Sequence, residues 1–268
     1  MILPYSYWYF KSALSEEICD KILERGIINL QDNIEKYGPR SVEATTGDYK
    51  QKDSPLKKTE NYQKSMENVT ASSLKRKGLT LDDVYLRDSS VVFLKDSWLF
   101  NLIWPYVNEA NKSAGWNFQW DFTEELQFTK YCPGQFYGWH ADAGPVPYES
   151  YDPTIHDQIR DANNKLMFDP DGNPLPVESF RTANTAMIGK VRKLSVTISL
   201  SDPSTYKGGN LRFDLGPHSD GERYHLCTEI RPRGSIIVFP SHIYHQVTPV
   251  TQGTRYSLVA WNLGKPFV

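Results

Sequence analysis

A series of short extended segments occupies the second half of the chain and constrains its fold more than any other feature. Several of these segments alternate apolar and polar residues with a period of two, as half-buried strands do. Glycine and proline separate them, so many turns connect short strands, which favours a barrel or a sandwich. The predicted strands are Phe118–Phe122, Glu125–Tyr131, Gln135–Ala141, Lys193–Ser201, Asn210–Leu215, Ser235–Phe239, His242–Val250 and Arg255–Asn262.

The N-terminal half has the pattern of helices and a few supporting strands. Ser15 precedes two acidic residues and is typical of a helix start, and Gly26 is predicted to end that helix. A second helix is predicted over Trp98–Ala110, where apolar residues recur with helical spacing. Asp88–Leu94 is predicted to be a strand.

The domain organisation that we predict is one domain over residues 1–268. Residues 1–120 supply the helices and supporting strands, and residues 121–268 supply the β core. Residues 143–190 interrupt the strand pattern with a proline-rich stretch of little periodicity. A connection this long is more often a functional lid than a linker, so a lid is expected here.

The charge balance and the cysteines limit the partners and the compartment. A net charge of −2 argues against a broad nucleic-acid-binding surface, which needs an excess of Lys and Arg. The three cysteines are widely spaced and form no CxxC motif, so we expect no disulfide framework and a reducing cytoplasm. We expect no signal peptide, because the N-terminus lacks a basic region and a long apolar stretch. We expect no membrane span, because no stretch approaches roughly 20 apolar residues.

Three residues are candidates for a metal site. His140 and Asp142 lie two apart in a predicted strand, so both side chains project from one face, and His245 lies in another strand. Two histidines and one carboxylate form the facial triad of non-haem iron oxygenases, which leaves positions open for a 2-oxoacid and O2. Taken singly, His140 also fits a buried core histidine, and Asp142 also fits a loop cap.

An arginine follows His245 at a distance that suits a co-substrate. If the intervening turn pairs Val250 with Thr254, then His245 lies opposite Val259, and Arg255 points to the same side as His245. Arg255 would then lie roughly 13 Å along the strand from the metal, and its planar fork suits a carboxylate. A register shift of one residue would turn Arg255 to the other face. A surface ion pair is the alternative role for this arginine.

Three runs of sequence carry a resemblance to a known family. Residues 131–142 (YCPGQFYGWHAD) have the spacing Tyr-x-x-Gly-x-x-Tyr-x-x-His-x-Asp, and residues 194–213 and 239–255 continue the similarity. This combination resembles the prolyl 4-hydroxylase-like 2-oxoglutarate/Fe(II) oxygenases, especially the bacterial PKHD-type hydroxylases. The resemblance covers about residues 125–262, interrupted by the insertion.

The resemblance implies a mainly β (α+β) fold, a double-stranded β-helix or jelly roll with flanking helices. The implied iron ligands are His140, Asp142 and His245. The implied 2-oxoglutarate site consists of Arg255, Tyr131, Ser257 and Trp261. The last three residues also fit ordinary packing. Arg192 corresponds to a substrate-contacting arginine in some family members.

The implied reaction is hydroxylation of a C–H bond with Fe(II), 2-oxoglutarate and O2, with release of succinate and CO2. The favoured substrate is a prolyl residue in a peptide or protein, and ascorbate is the expected reductant. A free amino acid or an alkylated nucleobase is an alternative substrate. A zinc hydrolase using His242 and His245 is another alternative, although residues three apart on a strand face opposite ways. A non-catalytic jelly-roll binding module is the last alternative function. The sequence does not indicate the oligomeric state.

Overall fold

A curled, largely antiparallel sheet organises the chain in a computed structural model, which describes residues 5–46, 87–144, 146–150, 181–216 and 223–267. The helices are α1 (Glu16–Tyr37) and α2 (Ser97–Ser113), with a short 3-10 helix at Pro39–Val42. The strands are β1 (Trp8–Phe10), β2 (Glu43–Thr46), β3 (Arg87–Leu94), β4 (Phe122–Thr123), β5 (Leu126–Tyr131), β6 (Phe136–His140), β7 (Glu149–Ser150), β8 (Arg181–Thr182), β9 (Val191–Ser199), β10 (Tyr206–Gly208), β11 (Leu211–Asp214), β12 (Tyr224–Leu226), β13 (Ile236–Pro240), β14 (His245–Val247), β15 (Val250–Gly253) and β16 (Arg255–Gly264).

The strand order shows how the sheet folds back on itself. The path runs β1-β13-β9-β16-β5-β3-β6-β14-β11-β12, with β2 added to β3 and β4 added to β16. Only Arg87↔Tyr137 and Asp88↔Phe136 join β3 to β6, so the path bends there. The major sheet, from β1 to β3, and the minor sheet, from β6 to β12, line one pocket between them. This is the predicted jelly roll.

The two faces of the major sheet differ in chemistry. One face is apolar and packs on α1 and α2 through fully buried side chains such as Phe128, Ile198, Ile22 and Leu99. The opposite face turns toward the minor sheet and carries buried polar side chains, which include Gln127, Thr129, Thr197 and Ser257. Because successive side chains of a strand alternate between faces, one sheet supports both a helix-packed core and a polar pocket.

Helix α1 begins as predicted but ends later. The Ser15 side chain accepts a hydrogen bond from the Ile18 backbone N–H, so it is the N-cap. The predicted end at Gly26 is wrong, because the helix continues to Tyr37. Gly26 is buried against the ring of Phe128, and a Cβ there would lie 2.4 Å from that ring. The glycine therefore serves close packing of helix on sheet.

The predicted hairpin between His245 and Arg255 is also wrong. Strand β14 pairs with β6 and β11, whereas β16 pairs with β5 and β9, so His245 lies in the minor part of the curled sheet and Arg255 in the major part. Val259 lies opposite Gln127 and Thr197 instead of His245. Short strands with similar alternation can pair in several ways, and only the folded sheet selects among them.

The predicted strand Phe118–Phe122 is mostly irregular. Asn117 has a positive φ of 53°, and the Asn111 side chain forms two hydrogen bonds with the backbone of Phe118. These contacts tie the segment to the end of α2, and only Phe122–Thr123 joins the sheet as β4. The second predicted helix and the other predicted strands are confirmed with small shifts at their ends, apart from His242–Val250, where only parts become β14 and β15.

The predicted insertion 143–190 is described only near its two ends. Backbone hydrogen bonds of Tyr148 with Gly189 and Lys190 join those ends, and β7 pairs with β8. Its middle, with the lid expected there, lies outside the described residues. Within the described ranges, neither helix is long and apolar enough to cross a membrane.

The packing of Gly26 against Phe128 gives a prediction about stability. We expect Gly26→Ala to lower the free energy of unfolding by about 1–3 kcal/mol, the usual cost of overpacking, despite alanine's higher helix propensity. Urea unfolding monitored by circular dichroism measures this change. Glu24→Ala, at an exposed position of the same helix, is the control and should change stability by less than about 0.5 kcal/mol. An unchanged or increased stability of Gly26→Ala would contradict the packing argument.

Candidate metal and co-substrate site

The three predicted metal ligands meet where β6 and β14 pair. His140 ends β6 and lies directly opposite His245, the first residue of β14, so both imidazoles project from one face. The Asp142 carboxylate lies 3.5 Å from His140 Nε2 and 3.7 Å from His245 Nε2. One donor atom from each residue lies within 4.8 Å of the others, and all three residues are buried. This donor set suits a divalent ion such as Fe(II).

Backbone carbonyls orient both imidazoles. His140 Nδ1 lies 2.8 Å from the Gly138 carbonyl, and His245 Nδ1 lies 3.0 Å from the Ile243 carbonyl. A carbonyl oxygen only accepts hydrogen bonds, so each Nδ1 must carry the proton and donate it. Each Nε2 then keeps its lone pair and points toward the Asp142 carboxylate, as metal ligation requires.

The electrostatics of the cluster favour the ligating protonation states. Burial and the neighbouring His140 lower the pKa of His245 to about 4, so its imidazole is neutral near pH 7. Burial alone would raise the pKa of Asp142. The nearby His245 and His140 outweigh burial and hold the pKa of this carboxyl well below its usual range. A carboxylate and a neutral imidazole are the forms that bind a cation.

Aromatic rings hold the two imidazoles in place. The Tyr137 ring stacks on His140 with 3.5 Å between centroids, and Phe239 meets His245 edge-on at 4.7 Å. Burial raises the pKa of Tyr137 to about 12, so its phenol stays protonated. The spacing of Tyr137 and His140 within the 131–142 motif indicated in the sequence that these two residues belong to one site. Phe239 begins the 239–255 run of the family resemblance, but nothing in the sequence indicated its contact with His245.

Arg255 reaches the same pocket from the opposite sheet. It begins β16, pairs with Tyr131 on β5 and is 3% exposed. Its Nη1 donates to Ser257 Oγ at 3.2 Å, and no acidic side chain of the described residues pairs with it. A Cβ on Gly209 would lie 2.8 Å from Arg255 Cδ, so the glycine leaves room for the arginine. A buried, unpaired guanidinium fits an anionic ligand, because burying an uncompensated charge is costly.

The other predicted co-substrate residues also line this pocket. Tyr131, Ser257 and Trp261 surround it together with Arg255 and the His140–Asp142–His245 cluster. The Trp261 indole N–H is buried and has no hydrogen-bond partner among the described residues. Since buried donors are normally satisfied, this orphan N–H fits a ligand that supplies an acceptor.

Arg192, the predicted substrate contact, forms an ion pair with Glu124. Its Nε and Nη2 each donate to Glu124 at 2.7 Å, and its guanidinium lies 3.9 Å from the centroid of the Trp261 ring. Sequence reasoning did not identify Glu124, which lies between β4 and β5 and has no motif around it. Burial opposes the charge of Arg192, but Glu124 outweighs that effect and raises the pKa of Arg192 further.

Two further residues near the site carried no sequence signal. Arg87 is buried on β3, donates from Nε to Ser89 Oγ and lies 4.6 Å from the centroid of the Tyr137 ring. Its Nη2 has no hydrogen-bond partner in the described part of the chain. Gln127 accepts from Arg87 Nη1 at 3.3 Å and lines the pocket.

His242 does not join the metal cluster. It lies in an exposed turn before β14, and the described residues contain no three-donor cluster that includes it. The zinc site of His242 and His245, weighed as an alternative from the sequence, is therefore wrong for the part of the chain that the structure describes.

A jelly roll with a buried His-Asp-His cluster is typical of metal-dependent oxygenases, and the family comparison supports this class. The sequence model of the 2OG-Fe(II) oxygenase superfamily matches residues 126–262, which is about half of the chain. The chain belongs to the 2OG-Fe(II) oxygenase superfamily.

Curated relatives share part of their length with this chain. A PKHD-type hydroxylase of Maricaulis maris is 45% identical over 76 residues, which cover 28% of this chain and 31% of the relative. A PKHD-type hydroxylase of Sphingopyxis alaskensis is 35% identical over 127 residues, or 47% and 38% of the two chains. The alignments thus span well under two thirds of these relatives.

Two solved structures align with most of this chain at low sequence identity. A Pseudomonas putida prolyl-4-hydroxylase aligns with a TM-score of 0.49 and 14% identity, covering 96% of this chain and 92% of that one. The viral collagen prolyl hydroxylase of Paramecium Bursaria Chlorella virus-1, in complex with 2OG, aligns with a TM-score of 0.48 and 13% identity and covers 97% of each chain.

The lowered pKa of His245 predicts acid sensitivity of the metal-free protein. Between pH 6.5 and about 4 the unfolded chain binds a proton at this histidine that the folded chain does not, so stability falls as pH falls. From pH 7 to pH 5 this contributes a loss of about 2 kcal/mol. Urea unfolding at both pH values measures it. His245→Gln, which cannot titrate, should show a smaller loss, and an equal loss in both proteins would contradict the assignment.

Proposed function

We propose that this chain is a 2-oxoglutarate- and Fe(II)-dependent dioxygenase that hydroxylates a C–H bond. The supporting observation is a single pocket in which the His140–Asp142–His245 cluster faces the buried Arg255, which has no acidic partner in the described part of the chain. Membership of the superfamily supports the same reaction class. A binding module without catalysis has no need for this combination of donors.

Each residue set has a distinct role in this proposal. His140, Asp142 and His245 hold the iron, and Arg255 binds the distal carboxylate of 2-oxoglutarate through its planar fork. Tyr131, Ser257 and Trp261 surround the co-substrate, and Trp261 supplies a free N–H donor. Burial of these residues limits water in the pocket, which strengthens each electrostatic contact.

When bound at this site, Fe(II) and 2-oxoglutarate would supply, with O2, the chemistry that oxidises a substrate C–H bond, with succinate and CO2 as co-products. The protein's own contribution is positioning. The Gly138 and Ile243 carbonyls hold the imidazoles with Nε2 toward the ion, and Arg255 orients the co-substrate from the facing sheet. Ascorbate is the proposed reductant that keeps the iron in the ferrous state.

We propose a prolyl residue in a peptide or protein as the substrate, on the basis of the family resemblance carried by residues 131–142, 194–213 and 239–255. A free amino acid or another small molecule is the alternative. Incubation with a peptide library and with free amino acids, followed by mass spectrometry, separates the two. A mass increase of one oxygen on peptides that contain proline supports the proposal, and oxygen addition only to free amino acids contradicts it.

The domain organisation and the compartment are also proposals. One domain over residues 1–268 is supported by the sheet, which joins β1 and β3 from the first 120 residues to strands from the remainder. A cytoplasmic location is supported by the three cysteines, Cys19, Cys132 and Cys227, all of which are free thiols.

The metal assignment predicts the behaviour of a histidine pair. We expect His245→Ala to abolish substrate-coupled 2-oxoglutarate turnover in the presence of Fe(II) and ascorbate, because two ligands do not hold the ion in a facial site. His242→Ala, three residues earlier in an exposed turn, is the matched control and should keep wild-type turnover. Turnover is measured as succinate release. Wild-type activity of His245→Ala, or rescue of metal-free protein by Zn(II) instead of Fe(II), would exclude the proposed site.

The arginine assignment predicts a loss of co-substrate binding. We expect Arg255→Ala to raise the dissociation constant for 2-oxoglutarate by about 30-fold or more, since removing one partner of a buried charge pair costs about 2 kcal/mol at least. Calorimetric titration of the Mn(II)-loaded protein without O2 measures binding. Arg223→Ala, at an arginine with a 57% exposed side chain, is the control. Equal affinities of the Arg255 variant and the wild type would refute the carboxylate role.

A further inference from the structure

A buried ion pair beside the metal cluster has no part in the function proposed so far. Arg192 Nε and Nη2 donate to the two carboxylate oxygens of Glu124, each at 2.7 Å. The side chains are 18% and 11% exposed. A two-point pair of this kind has one preferred geometry, so it holds both side chains more rigidly than a single hydrogen bond does.

Arg192 contacts two parts of the site at once. Its Nη1 donates to the backbone carbonyl of Asp142 at 3.4 Å, and its guanidinium lies over the Trp261 ring at 3.9 Å. Asp142 is the carboxylate of the metal cluster, and Trp261 carries the unsatisfied N–H of the pocket wall. One side chain therefore touches the backbone of a metal ligand and a residue of the co-substrate pocket.

Glu124 is itself fixed from several directions. Its backbone N–H donates to the Trp261 carbonyl at 3.0 Å, and its side chain also accepts from the Tyr148 hydroxyl at 3.2 Å. Tyr148 lies in the segment that follows Asp142, so Glu124 joins that segment to β16. The Asp142 backbone is linked to this network through its carbonyl, which accepts from Arg192 Nη1.

We propose that Glu124 and Arg192 form a positioning pair that holds the Asp142 backbone and the Trp261 ring in the geometry for metal and co-substrate binding. This rests on the function proposed above. It differs from the substrate-contact role that the family resemblance implies for Arg192. A positioning role predicts a change in metal affinity without substrate, whereas a substrate contact predicts a change only in the KM for substrate.

The test compares neighbouring glutamates. Mn(II) is titrated into metal-free protein without 2-oxoglutarate or substrate, and free Mn(II) is measured by electron paramagnetic resonance. We expect Glu124→Gln to raise the dissociation constant by about 10-fold, the lower end of the effect of losing a partner of a metal ligand, because Glu124 acts through Arg192. Glu125→Gln is the matched control. Glu125 pairs with Lys95 at 2.7 Å where both side chains are well exposed, so Mn(II) affinity should not change.

Arg192→Lys provides a second, independent variant. Lysine keeps the positive charge but lacks the planar fork, so a positioning role predicts weaker Mn(II) binding here too. Circular dichroism and the thermal midpoint verify folding, and if Glu124→Gln does not fold, Arg192→Lys decides the matter. Wild-type Mn(II) affinity in the folded variants, with a raised KM for peptide alone, would overturn the positioning pair. Absence of Mn(II) binding by the wild type would instead overturn the proposed metal site itself.

Discussion

The pairing of His140 with His245 across β6 and β14 is the contact on which the site depends. Directly opposed residues of antiparallel strands project from one face, so the pairing alone brings two imidazoles together. Asp142 follows just after β6 ends, where the chain is free to turn its carboxylate toward both rings. The bend between β3 and β6 then places this cluster opposite the major sheet, from which Arg255 reaches the same pocket.

The major sheet allows this arrangement because its two faces have different chemistry. Phe128 and its apolar neighbours pack against α1 and α2 and stabilise the sheet, while Gln127, Thr129 and Ser257 on the other face form a polar wall. Polar groups buried on that wall require partners, and Gln127 donates to Thr129 in the same way that Arg255 donates to Ser257. A donor that has no partner among the described residues, such as the Trp261 N–H, is available to a ligand.

Burial links the packing of the pocket to its chemistry. Burial lowers the pKa of His245, and the interactions of Asp142 with His245 and His140 outweigh burial and hold the pKa of Asp142 below its usual range. Near the cluster, the positive charge of Arg192 is compensated by the carboxylate of Glu124. Among the residues that line the pocket, Arg255 is therefore the cation without an acidic partner, and it lies opposite the His140–Asp142–His245 cluster.

The sequence by itself determined the local features of this protein. Alternating segments predicted most strands, Ser15 predicted the start of α1, and the 131–142 motif with His245 and Arg255 predicted which residues share the pocket. These features depend on spacing between nearby residues or on a recurring motif, so they are readable along the chain. The mainly β jelly roll followed from the same patterns and the family resemblance.

Only the tertiary structure decided which distant segments meet. The pairing of β14 with β6 instead of β16, the burial of Gly26 under Phe128, and the contact of Glu124 with Arg192 all join residues far apart in sequence. Similar strands can pair in more than one register, and a glycine within a helix has the same local pattern as a glycine that ends one. Packing of the whole sheet selects among these alternatives, because only one arrangement buries the apolar faces and satisfies the buried polar groups together.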